Sequence, residues 1–163
     1  QDQDIAFFEN LVKTNPSFCI FPFIELLANN AHTTVCCRSD KPITKLSELK
    51  DYHTDANYRA IRQRMLDSVK LPEHCSSCYK VEELGILSAR QQETVEWATR
   101  LNLTSLEDLD KITHPAYYEI RPSGICNLQC RMCNPVDSDL IAKEYKKINF
   151  LHPSCCFVCY NVH

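Results

Sequence analysis

Apolar positions change their period several times along the first two-thirds of the chain, and each change predicts an element. Residues 5–12 carry apolar side chains at helical spacing and read as a short amphipathic helix leading to Cys19. The block CIFPFIELLANNAHTTVCC then turns β-like. Residues 20–27 run out and residues 33–35 return around Asn29 and Asn30, which predicts a hairpin with cysteine at both ends. From Thr54, a residue that can cap a helix, Tyr58, Ile61, Met65 and Val69 recur at helical spacing and are expected in the core. Arg59, Arg62 and Arg64 fall off that stripe and read as a solvated face. Pro72 ends the helix and introduces EHCSSCYK, after which a long helical stretch is expected over about residues 81–101, with Trp97 as a packing residue. Thr104 and Glu107 predict a capping box for one more short helix ending near Lys111.

The character changes at His114 and Pro115. YYEIRPS has strand propensity, ICNLQCRMCNP follows, and a helical pattern covers about residues 136–148, so this second cysteine cluster is expected in a strand-to-helix loop. That order is the opening of a β/α unit. The expected fold is α+β: a cysteine-rich metal-binding N-terminal domain with long helices over residues 1–113, followed over 114–163 by the first β/α unit of a partial (β/α) barrel. Too few residues follow Cys133 to close such a barrel, and the chain begins with Gln, so a fragment is expected.

Charge narrows the partners. The net charge is −3, with both signs interspersed, which gives no electrostatic footprint for nucleic acid or an anionic membrane. No apolar run approaches the roughly 18 residues of a membrane span, and QDQDIAFF lacks the regions of a signal peptide. A soluble, cytoplasmic protein is expected.

Cysteine changes the picture most. There are 11 cysteines and only 2 glycines, and an odd cysteine count within long helical patterns fits a disulfide scaffold poorly. Metal ligation accounts for them better. Cys75 and Cys78 form a CxxC; Cys126, Cys130 and Cys133 form a CxxxCxxC. Zinc on three thiolates is ordinarily closed by a fourth protein ligand, whereas an iron–sulfur cluster on three thiolates leaves one iron open to a cofactor or substrate. In the N-terminal half Cys19, one of the pair Cys36 and Cys37, Cys75 and Cys78 supply four thiolates, which suit either structural zinc or an iron–sulfur cluster. His74 reads as an exposed neighbour of Cys75. His32, His53, His114 and His152 have no partners at ligand spacing, and Cys155, Cys156 and Cys159 fall in a stretch with no readable pattern.

The string RPSGICNLQCRMCNP, after a strand and before a helix, resembles the cluster loop of the radical S-adenosylmethionine superfamily. The resemblance implies that Cys126, Cys130 and Cys133 hold a [4Fe-4S] cluster and that S-adenosylmethionine chelates the fourth iron. Reductive cleavage then yields a 5′-deoxyadenosyl radical that abstracts hydrogen from a substrate. The main chain at Met132 would lie near the adenine, although the family usually has an aromatic residue at that place. Residues 18–79 are similar to the twitch domain, a shortened SPASM domain carrying an auxiliary [4Fe-4S] cluster, which implies Cys19, Cys36, Cys75 and Cys78 as ligands. Ala31 stands where that pattern has glycine, and the domain precedes the radical core rather than following it. The implied whole is an enzyme acting on a peptide or other macromolecule with a flavodoxin- or ferredoxin-type electron donor, the present chain being inactive alone. The alternative is a non-catalytic module using zinc or iron–sulfur structurally.

Overall fold

The computed structural model describes residues 2–29, 31–39, 41–121, 125, 128, 130, 133, 135 and 138–147. It divides into two compact units, Gln1–Ile120 and Arg121–His163.

In the first unit the opening apolar stripe forms α1 (Asp2–Thr14), longer than its periodicity predicts, with Phe8 and Val12 buried. The predicted hairpin is present, but its first arm begins as one helical turn. Pro22 sits in the first turn of α2 (Phe21–Ile24), where its missing N–H costs no hydrogen bond, and the chain extends only from Glu25. β1 (Glu25–Asn29) pairs antiparallel with β2 (His32–Thr34) in the register Leu27 to Thr34 and Asn29 to His32. β3 (Pro42–Lys45) adds to β2 through an irregular register, and the sheet order is β3-β2-β1-β4. β4 (Tyr117–Arg121) is the strand expected to open the second domain; it lies beside β1 in this sheet.

α3 (Ala56–Leu66) buries Tyr58, Ile61 and Met65 as its spacing predicts. Its cap is Asp55 rather than Thr54: the Asp55 carboxylate accepts from the amides of Asn57 and Tyr58, both at 3.0 Å. Val69, expected in the core, lies beyond the helix end and is 46% exposed, because the chain has turned at Ser68 (φ 60°). The arginines do not share one solvated face either. Arg59 is exposed and Arg64 pairs with Glu73, but the Arg62 guanidinium stacks over Tyr52 at 4.4 Å and donates to the carbonyls of Pro22, His53 and Tyr52. It pins α3 to the α2 turn.

Pro72 opens α4 (Pro72–Glu83) from its first turn, so the CxxC lies within a helix and not ahead of one. The predicted long helix over 81–101 is broken after Glu83. Gly85 takes φ 72°, a left-handed conformation suited to ending a helix, and Ser88 starts α5 (Ala89–Arg100) with a capping box to Gln91. α1 packs against α5. Trp97 is half-buried against Tyr117, with ring centroids 5.6 Å apart. The last short helix, the 3-10 segment Leu106–Lys111, is anchored by Asp108 rather than Glu107; its carboxylate accepts from the Thr104 and Ser105 amides at 2.8 and 3.0 Å.

The core of this unit joins Phe8, Phe18, Cys19, Ile20, Phe23, Ile24, Val35, Ile61, Met65, Leu71, Ala98, Leu103 and Leu109. In the second unit α6 (Asp139–Lys147) buries Ile141, and the Ser138 carbonyl accepts from the Ala142 amide at 2.9 Å. Among the described residues no helix is long and apolar enough to cross a membrane.

Candidate metal centre

Three separate segments deliver cysteines to one place. Cys19 lies in the connection between α1 and α2, Cys36 lies just past β2, and Cys75 and Cys78 occupy successive turns of one face of α4. All four line a single cavity, together with Phe21, Val35, Arg38, His74, Ser77, Ala89 and Arg90. Cys37, the other member of the CC pair, is exposed and does not line it. Cys19, Cys36, Cys75, Cys78, Cys130 and Cys133 carry no disulfide.

The segment that carries Cys19 is held rigidly by buried polar groups. The Asn15 side chain accepts from the amides of Ser17 and Phe18 at 2.9 and 2.8 Å and donates to the Met65 carbonyl at 3.0 Å. Ser17 donates to the same carbonyl, and the Ile20 amide donates to Thr94 Oγ1 at 3.2 Å. Arg90, 2% exposed, donates to the Phe18 carbonyl at 2.6 Å and forks onto Glu82 with two bonds of 2.8 Å. Ser88 Oγ adds a 2.6 Å bond to the same carboxylate. α5 is thereby tied both to α4 and to the residue preceding Cys19.

Burial pushes the Cys19 thiol well above its ordinary value; the neighbouring Cys36, Cys75 and Cys78 push it further, against a hydrogen bond from the Phe21 amide. Burial likewise raises Cys36 to about 12, opposed by the Arg38 amide, and Cys75 to about 11. Thiolates concentrated in so apolar a place are costly unless a cation neutralises them, and a bound metal does this outright. The two backbone N–H groups aimed at Cys19 and Cys36 are the kind of donors that support metal-bound sulfur. Two further polar atoms on this wall, Ser77 Oγ and His74 Nδ1, are buried and hydrogen-bond to nothing among the described residues. Burial also lowers the His74 pKa and favours the neutral imidazole, so it is not the exposed neighbour that its sequence position suggests.

The donor set fits a soft metal or an iron–sulfur cluster. As the side chains stand, the cavity is about 20 Å³, and among the described residues no three His, Cys, Asp or Glu side chains are arranged to hold a metal ion.

In the second cysteine loop, Cys130 is exposed and Cys133 half-buried, and the Cys133 amide donates to the Cys130 carbonyl at 2.9 Å in a single turn. Cys126 and Met132 lie outside the described residues, as do Cys155, Cys156 and Cys159. Sequence reasoning missed Asn15, Glu82 and Arg90, which hold the site; the one signal for Arg90 is its place two residues after a capping serine, on the inner face of α5. No protein-family model, curated protein or solved structure matches this chain, and its chemistry is read from its own residues.

Proposed function

We propose that this chain is an iron–sulfur protein that holds an auxiliary [4Fe-4S] cluster on Cys19, Cys36, Cys75 and Cys78. We further propose that Cys126, Cys130 and Cys133 form the open cluster site of a radical S-adenosylmethionine enzyme, with Met132 beside the adenine. The observation that carries the first part is the convergence on one cavity of four cysteines spread over 60 positions of sequence, within a wall of buried hydrogen bonds. The second part rests on the CxxxCxxC spacing and its strand-to-helix setting between β4 and α6.

Their contributions differ. Four thiolates satisfy every iron of a cubane, which suits an electron relay or a structural anchor; three leave one iron to a cofactor. The chemistry supplied by the open site is reductive cleavage of S-adenosylmethionine, here directed at a peptide or other macromolecule and fed by a flavodoxin- or ferredoxin-type donor. Clusters of this kind need reduced thiols, the condition of a cytoplasm.

The test is anaerobic reconstitution of the full chain with iron and sulfide, followed by metal analysis, optical spectra and electron paramagnetic resonance. Two clusters per chain are expected, with one signal perturbed by S-adenosylmethionine. Cys75→Ser should remove the unperturbed cluster, and Cys133→Ser should remove the response to the cofactor. A colourless protein that takes up zinc, with no response to the cofactor, would sink this reading in favour of a structural module.

A further inference from the structure

The four-cysteine cavity has one buried, permanently charged group on its wall. A guanidinium does not lose its proton in proteins, and Arg90 is almost wholly buried at the cavity edge with its other face on Glu82. A fold needing only an ion pair between α4 and α5 could keep it at the surface, where desolvation is small. Here Arg90 is buried on the cavity wall instead, with Glu82 off that wall and partly exposed, and the bond from Arg90 to the Phe18 carbonyl reaches the residue before Cys19. Arg38 also lies on this wall but is exposed, where water and salt screen its charge.

We propose that the Arg90–Glu82 pair is the device that sets the electron affinity of the N-terminal cluster, Arg90 being a positioning residue for Cys19 whose charge favours the reduced state and Glu82 a counter-charge that moderates it. The inference rests on the N-terminal cluster proposed above. One-electron reduction adds one negative charge to a cluster already carrying four thiolates. The potential of such a cluster depends on nearby charge, hydrogen bonds and solvent exposure, and charge acts strongly across a poorly polarisable interior.

The two partners make opposite predictions, which separates charge from mere support. In a full-chain background with Cys126, Cys130 and Cys133 replaced by alanine, leaving one cluster, dithionite titration should give a lower midpoint for Arg90→Gln. It should give a higher one for Glu82→Gln. Each shift is expected to be about tenfold in the ratio of reduced to oxidised cluster at fixed potential, which is about 59 mV for one electron. Arg90→Lys should lie near the parent in potential while losing iron faster to a chelator, because a point charge cannot hold both Glu82 and the Phe18 carbonyl. Shifts of the same sign in Arg90→Gln and Glu82→Gln, as loosening and wetting of the site would give, overturn the proposal. So does a parent-like midpoint in Glu82→Gln, the milder variant, which decides the matter should Arg90→Gln fail to fold. Absence of a four-iron cluster in the unsubstituted Arg90 and Glu82 background defeats the cluster reading itself and is recognised before any variant is compared.

Discussion

The two cysteine sets are built on opposite principles. Cys19, Cys36, Cys75 and Cys78 come from three separate stretches of sequence and line one cavity only because α1, the β1–β2 hairpin, α4 and α5 pack together, whereas Cys130 and Cys133 share one local turn. A dispersed ligand set depends on its fold, since loop-closure entropy opposes bringing such distant residues together without other contacts. A local set needs little fold and gains its order from the metal. On the proposed function, the first site is expected to exist in outline before metal arrives, and the second to gain protection when it binds.

The largest effect expected is at Phe18, fully buried and stacked on Phe23 at 5.5 Å. Phe18→Ala should cost about 3–5 kcal/mol in chemical denaturation and abolish iron binding at the N-terminal site while leaving any cofactor response at the second loop. Equal loss at both sites would break the contrast. Next comes Asn15→Ala, which strands the buried Ser17 and Phe18 amides; each unpaired group costs about 1–3 kcal/mol, so a loss of about 2 kcal/mol or more is expected. In the parent stripped of metal, hydrogen exchange should still find the Phe18 and Ile20 amides protected, and the Cys133 amide protected only after reconstitution.

Acid should act on the first site through Glu82. Its burial raises the pKa, but the hydrogen bonds from Arg90 and Ser88 outweigh this and leave it below the ordinary 4.5. A depressed carboxylate contributes stability that is fully present above its unfolded value and lost as pH falls through the folded one. Thermal melts of the metal-free protein should thus weaken below about pH 4.5, and Glu82→Gln should flatten that slope. The smallest effect is expected at Cys37, exposed and off the cavity wall. Cys37→Ser should keep the parent's iron content and melting temperature, whereas Cys36→Ser should lose the N-terminal cluster. The reverse outcome would reassign the ligand.

Much of the helical framework can be read from periodicity: Tyr58, Ile61 and Met65 mark the buried face of α3 without help from the structure. Its boundaries cannot, because Thr54 and Asp55, or Glu107 and Asp108, are equally plausible caps as letters and only the turn geometry selects between them. The spacing of the cysteines names candidate ligands, and nothing local distinguishes Cys36 from Cys37 until the strand before them fixes which one faces inward. Arg62 and Arg90 were illegible for a different reason. A charged residue in an amphipathic pattern signals solvent, and partners outside its own helix, among them Pro22 for Arg62 and Phe18 for Arg90 at separations of 40 and 72 residues, draw these two in.

One helix face holds Cys75, Cys78 and Glu82 together, at intervals of three and four residues. Inserting or deleting a single residue between Cys78 and Glu82 would swing the carboxylate about 100° around the axis, aiming the Arg90 latch away from the thiols it backs. The length of α4 is consequently a gauge that tolerates no change within that interval. Just beyond it, Leu84, Ile86 and Leu87 are exposed, and Gly85 has open space where a side chain would stand. Variation in length belongs there, in an exposed connection whose extension would leave the gauge untouched.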